Sequence, residues 1–257
     1  MCILFFALQQ HPQFPVIICA NRDEMHQRPT KALHFWPEEK IYAGKDLQAG
    51  GTWLGITPEG RFSALTNFRQ GRKKANNEKS QSKNSRGELV LNALKYSDKT
   101  LKESLPQISH HYEGFNLVFG QLNHLHCFDN IEKKWRVLSS GVHSLSNGAL
   151  DDIWPKMALG QQNLMNTIKS SNTLNINDLF DLMKNTDKAN TQHLPNTGIS
   201  KEREKFLSSI FITSPEYGTR TTTIITQDVS GEITIHDRTY NPLGEKTLEI
   251  SLCLNND

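Results

Sequence analysis

With 257 residues, 36% of them apolar, and 12 Phe and 4 Trp, the chain can bury a sizeable core, which argues against disorder throughout. Its 29 basic and 27 acidic side chains leave a net charge of +2, too even a balance to imply a nucleic-acid or membrane-surface partner. Cys2, Cys19, Cys127 and Cys253 form no CxxC pair and no regular framework, so neither a structural zinc site nor a disulfide scaffold is expected and a reducing compartment fits best.

The chain opens on an apolar run, Cys2 to Leu8, that has no basic segment before it and stops at Gln9-Gln10-His11-Pro12. It does not read as a secretory signal, and no stretch approaches the roughly 20 apolar residues of a membrane span, so a soluble cytoplasmic protein is expected. Residues 2–9 and 15–20 form a hairpin pattern around a polar turn containing Pro12. The second strand runs into Asn21-Arg22-Asp23-Glu24, poor core material unless paired, and therefore a sheet edge, a cap or a site. An irregular stretch with Pro29 and Pro37 follows. Thr52 to Ile56 and Arg61 to Asn67 make a second hairpin about the turn Pro58-Glu59-Gly60.

Residues 71–86, rich in Lys, Asn and Ser, read as a solvated loop or as a basic lid over an anionic ligand. Ser85 and Glu88 have capping-box spacing and open a helix through Leu89, Leu91 and Leu94, and a second helical stretch covers 100–110. Strands are expected at 115–121, 125–128 and 135–138, followed by Gly141 to Ser146 closing at the Asn147-Gly148 turn. Helices follow at 152–166, with Pro155 in the first turn, and at 176–184. Residues 186–205 are loop-like, and strands are expected at 210–214, 219–226, 232–237 and 246–254. This order reads as one α+β domain over residues 1–257 with two sheets and outer helices.

The second residue offers the sharpest chemistry. If Met1 is removed, Cys2 carries a thiol and a free α-amine, and the amine, with an ordinary pKa of about 7.7 to 8.0, can take the thiol proton near neutrality. The bland alternative is a small buried hydrophobe. Strand ends carry further polar residues: Arg22, Asp23, Asn67, Asn147 and Arg220. If these strands lie beside the first, the two Asn amides can polarise a carbonyl, the two Arg can stabilise a thiolate, and Asp23 can orient the amine.

Several segments together, Met1-Cys2, Asn21-Arg22-Asp23-Glu24, Gly50 to Gly55, Ala64 to Arg69, Ser85-Arg86-Gly87, Leu145-Ser146-Asn147, Trp154-Pro155-Lys156 and Tyr217 to Arg220, resemble the NRDE-motif family, also called the transport and Golgi organisation protein 2 family. That family in turn is similar to the cysteine N-terminal-nucleophile amidases, the penicillin V acylase and bile-salt hydrolase group, which implies a four-layer αββα sandwich. Carried over, the nucleophile falls on Cys2, the Arg and Asp on Arg22 and Asp23, the oxyanion-side Asn on Asn67 and Asn147, and the second Arg on Arg220. Arg22 and Asp23 are adjacent here, whereas the amidases separate the pair.

The resemblance implies haem trafficking and lipid or acyl-CoA homeostasis, and it leaves open hydrolysis or acyl transfer, ligand binding without turnover, and an interaction role. No cofactor is required for the hydrolase reading, an amide or thioester of a small amphiphile being its substrate, and haem or an acyl-CoA is the candidate ligand. Trp53, Phe68 and Trp154 read as core or, alternatively, as pocket wall; in the ligand-binding reading Trp53 and Phe68 wall an apolar slot and Arg69, Arg72, Lys73 and Lys74 meet the ligand's carboxylates or phosphates. His110, His111, His124, His126 and His143 are surface or satisfied histidines or, less simply, haem ligands. Lys156 and Glu24 read as structural partners, and no metal-ligating pattern is present.

Overall fold

The computed structural model describes residues 2–69, 84–169 and 173–254. In chain order the elements are strands β1 (Cys2–Leu8), β2 (Val16–Met25), β3 (Thr30–Trp36), β4 (Ile41–Asp46), β5 (Leu54–Ile56) and β6 (Arg61–Asn67), then helices α1 (Gly87–Lys95) and α2 (Asp98–Ile108). Strands β7 (Phe115–Gln121), β8 (His124–Asp129), β9 (Lys134–Val137) and β10 (Gly141–Leu145) follow, with helices α3 (Pro155–Lys169), α4 (Ile176–Met183) and α5 (Lys201–Phe206) after them. The chain ends on β11 (Tyr217–Gln227), β12 (Ile233–Tyr240) and β13 (Lys246–Leu254).

Alternation along β1 explains the layering. Cys2, Leu4, Phe6 and Leu8 point one way and Ile3, Phe5 and Ala7 the other, yet every one is buried, so both faces of this strand are covered. The inner face belongs to a core shared by two antiparallel sheets, one ordered β10-β1-β2-β11-β12-β13 and the other β3 to β9 in chain order. Phe6 of one sheet meets Phe62 of the other edge to face, with centroids 6.4 Å apart. The outer face of the first sheet packs on α3 and α4, and that of the second on α1 and α2. The result is an αββα sandwich. At its closest helix-to-sheet approach a Cβ on Gly160 of α3 would lie 2.0 Å from the Phe5 ring.

The structure departs from the sequence reading in several places. Strand β2 continues to Met25 because its polar residues are partnered within the fold: Asn21 Nδ2 donates to the Met183 and Ile210 carbonyls at 2.8 and 3.0 Å, and Thr222 Oγ1 donates to Asn21 Oδ1 at 2.6 Å. The stretch read as irregular forms β3 and β4, with Pro29 and Pro37 just outside both strands and a register shift between Lys31 and His34. Residues 210–214 are not a strand, and 201–206 form α5, capped by Ser200 Oγ accepting from Arg203 N. Ser85 does not cap α1. Arg86 occupies that position without a side-chain cap, and Glu88 instead accepts from Tyr112 Oη at 2.5 Å.

Candidate active site

The register of the first sheet sets the site. Cys2 pairs with Arg22 across β1 and β2, so their side chains share the inner face, and Asp23 is the next residue along β2. A cleft of about 390 Å³ opens there, and Cys2, Arg22, Asp23, Asn67 and Trp53 all line it. Those five sequence-singled residues are thereby brought to one place. Cys2 is nearly buried at 7% exposure, and burial pushes its thiol up to about 11, with Asp23 adding to the rise and Arg22 opposing it. Of the two arginines expected beside the thiol, Arg22 stands in the lining and Arg220 does not.

Asp23 faces the outer side of its strand, where Thr219 Oγ1 donates to it at 2.7 Å. Thr219 is itself fixed, donating N–H to the Ile212 carbonyl at 2.8 Å and accepting from Ile212 N at 2.9 Å. Burial raises the Asp23 carboxyl above the ordinary range, although Lys156 pulls it back. Lys156, at the start of α3, is buried, donates to the Leu207 carbonyl at 3.1 Å, and is drawn down to about 8 by that burial against the attraction of Asp23. A buried acid and a buried amine thus sit behind the Cys2 strand end.

The two asparagines differ. The Asn67 amide lines the cleft and has no hydrogen-bond partner among the described residues, so it can donate into the space. Asn147 is wholly buried and does not line the cleft: its Nδ2 donates to the Asn67 carbonyl at 2.9 Å, and its Oδ1 accepts from Arg69 Nη2 at 3.1 Å. It holds Asn67 from behind. Beside it, Ser146 Oγ donates to the Cys2 carbonyl at 3.1 Å.

Arg220 is the extra residue of a bulge in β11, and its Nη1 donates to the carbonyls of Met25, His26 and Arg28 at 3.0 to 3.1 Å. It ties the turn after β2 instead of lining the cleft. Phe68 also lies outside the lining, its N–H bonded to the Gly114 carbonyl at 2.9 Å. Arg69 turns inward to Glu204, Nη1 to Oε2 at 2.9 Å, away from any ligand in the cleft. Arg72, Lys73 and Lys74 lie outside the described residues.

Some lining residues escaped the sequence reading. Asp46 accepts Arg28 Nε at 2.6 Å and lies 3.6 Å from Arg22 Nη2, which organises one wall, and Arg86 supplies a third cation. Arg86 stands inside a motif that was noticed without a role, whereas nothing local marks Asp46 at the end of a strand that was itself missed. No group of three or more His, Cys, Asp or Glu side chains among the described residues is arranged to hold a metal ion. Nor is any helix among them long and apolar enough to cross a membrane.

Comparison with known proteins agrees with this architecture. The chain aligns over its full length with the C2A mutant of a conjugated bile acid hydrolase from Clostridium perfringens, at a TM-score of 0.54 and 9% identity, covering 93% of that chain. At that identity the likeness is one of fold, the sandwich of N-terminal-nucleophile hydrolases. In sequence it is 32% identical over 266 residues to a Mus musculus protein named Transport and Golgi organization 2 homolog, covering 93% of this chain and 92% of the relative. The Homo sapiens homolog is 31% identical over 265 residues, with the same coverage. With the family profile described as Transport and Golgi organisation 2 matching residues 1–242, the chain belongs to that family.

Proposed function

We propose that the chain, once Met1 is removed, is an N-terminal-cysteine hydrolase of the reducing cytoplasm acting on an amide or thioester of a small amphiphile. The observation that carries this reading is Cys2 at the head of β1, opening on a polar cleft that Asp23 and Asn67 also line. Burial disfavours the thiolate, and the α-amine of Cys2 takes the proton as sulfur attacks the acyl carbon. Asp23 orients that amine. The carbonyl electron pair moves to oxygen, where Asn67 Nδ2 donates, and collapse expels the amine or thiol leaving group with the proton returned by the ammonium. Water then attacks the acyl-Cys2 thioester by the same base, releasing the acid and restoring the thiol.

The lining weighs against haem: Asp23, Glu24, Asp46 and Glu113 stand among the arginines, and no histidine among the described residues lines the cleft. His143, for example, is held by Asp151 at 2.8 Å and the Ser139 carbonyl at 2.9 Å. The non-catalytic alternative therefore narrows to capture of an acyl-CoA or related acyl compound. Acyl amides and acyl thioesters of matched chain length, assayed with wild type, Cys2→Ala and Asn67→Ala, separate the two. Turnover lost in Cys2→Ala supports the hydrolase, whereas saturable binding without turnover in wild type favours capture.

A further inference from the structure

Three arginines line the cleft, and two of them are already matched. Asp46 takes Arg28 Nε at 2.6 Å and lies 3.6 Å from Arg22 Nη2, while Glu24 stands 3.9 Å from Arg28, so two cations face two carboxylates. Arg86 is different. It enters from the start of α1, half-buried, with Nη1 donating to the Gly114 carbonyl at 3.0 Å, and it has no ion-pair partner among the described residues. Glu113, in the same lining, acts on it electrostatically without forming an ion pair.

The place of Arg86 is set by backbone. A Cβ on Gly51 would lie 3.0 Å from the Gly87 carbonyl carbon, and one on Gly87 would lie 3.1 Å from the Thr52 carbonyl oxygen. The backbones at Gly51-Thr52 and Gly87 are thus pressed together with no room for a side chain at either glycine, and Arg86 is delivered into the cleft that Cys2 lines. Arg86 and Cys2 line the same cleft, so cation and nucleophile share one volume. Glu113 and Glu24 bear on Arg86 without pairing with it, and a guanidinium is shaped to grip a planar oxyanion through two parallel N–H groups.

We infer that Arg86 anchors a carboxylate of the substrate, so that the cleft selects acyl compounds carrying a negative charge close to the scissile amide or thioester. The word substrate rests on the hydrolase proposed above; the anion site rests on the cleft alone. N-lauroylglycine, its uncharged analogue N-lauroylglycinamide and N-lauroyl phosphoethanolamine are the probes, measured for kcat/KM with wild type, Arg86→Gln and Arg86→Lys, and for binding to Cys2→Ala by calorimetry. Wild type is expected to prefer the glycine compound over the glycinamide by about 10- to 100-fold, the effect of one hydrogen-bonded charged contact. Arg86→Gln should remove that preference, with a thermal melt within a few degrees of wild type showing that the variant folds, and Arg86→Lys should fall between. Equal treatment of glycine and glycinamide by wild type overturns the Arg86 assignment while the hydrolase stands. A glycine preference in Cys2→Ala binding with no turnover by wild type keeps the anchor and removes the hydrolase. Tighter binding of the phosphate compound than of the glycine compound overturns the carboxylate assignment.

Discussion

Breaking the ion pair between Arg69 and Glu204 should cost the protein more than any surface charge change, and the structure says why. Glu204 is 3% exposed and Arg69 10%. Glu204 Oε2 accepts from Arg69 at 2.9 Å, and its Oε1 accepts from Thr197 N at 2.9 Å and Thr197 Oγ1 at 2.5 Å. Replacing Glu204 with Ala takes the carboxylate from a largely buried guanidinium and the acceptor from the half-buried Thr197 N–H, at a cost of about 3 to 5 kcal/mol. Glu204→Gln keeps an acceptor for Thr197 and loses only the charge facing Arg69, so about 1.5 to 3 kcal/mol is expected. Urea unfolding of Arg69→Met, Glu204→Gln and the double variant, at constant m, should show that the double variant loses about 2 kcal/mol less than the sum of the singles. Because Arg69 also holds Asn147 through Nη2 and its own N–H, at 3.1 and 2.7 Å, Glu204→Gln should slow turnover as well. Additive single effects, or a Glu204→Ala cost below about 1 kcal/mol, would refute the reasoning.

Asp237 is buried between the sheets, and burial raises its carboxyl to about 6 despite the bond from Thr223 Oγ1 at 2.7 Å. A raised carboxyl costs nothing below about pH 4, where it is protonated folded and unfolded, and costs progressively more up to about pH 6; a two-unit gap is at most about 3 kcal/mol. Asp237→Asn should therefore be more stable than wild type at pH 7 and no more stable at pH 4, as thermal melts across that range will show. Gly160→Ala should lower stability by about 1 to 3 kcal/mol in urea unfolding despite the better helix former, because the added Cβ meets the immobile Phe5 ring at 2.0 Å. Asn67→Ala should reduce kcat about 10²- to 10³-fold with little change in melting temperature, as removal of an oxyanion donor does.

What the sequence disclosed follows from how local each signal is. The β1 and β2 hairpin, α1, α3 and α4 are carried by periodicity and turn residues within a few positions, and they stand close to where they were expected. The edge strand β3 and its neighbour β4 were hidden because β3 buries only Leu33 and Trp36 and is bracketed by Pro29 and Pro37. Cys2 and Arg22 could be foreseen as neighbours because four polar residues prolong an apolar strand antiparallel to β1. The direction of Arg220 could not, since a one-residue bulge between Thr219 and Thr221 turns it, and bulges of that kind leave no mark in composition. Arg69 joins a carboxylate 135 positions away, on a helix within a stretch read as loop. Side chains whose partners are distant in sequence are legible by type and not by destination.

The central claim is that Cys2 is a processed N-terminal nucleophile, and intact mass of the purified protein after brief incubation with an activated acyl ester tests it most directly. A mass lacking Met1 that gains one acyl group, with no gain in Cys2→Ala, and with the adduct forming faster as pH rises through the range of an α-amine, is the predicted result. A protein that retains Met1, or one that acylates equally with and without the Cys2 thiol, would contradict it.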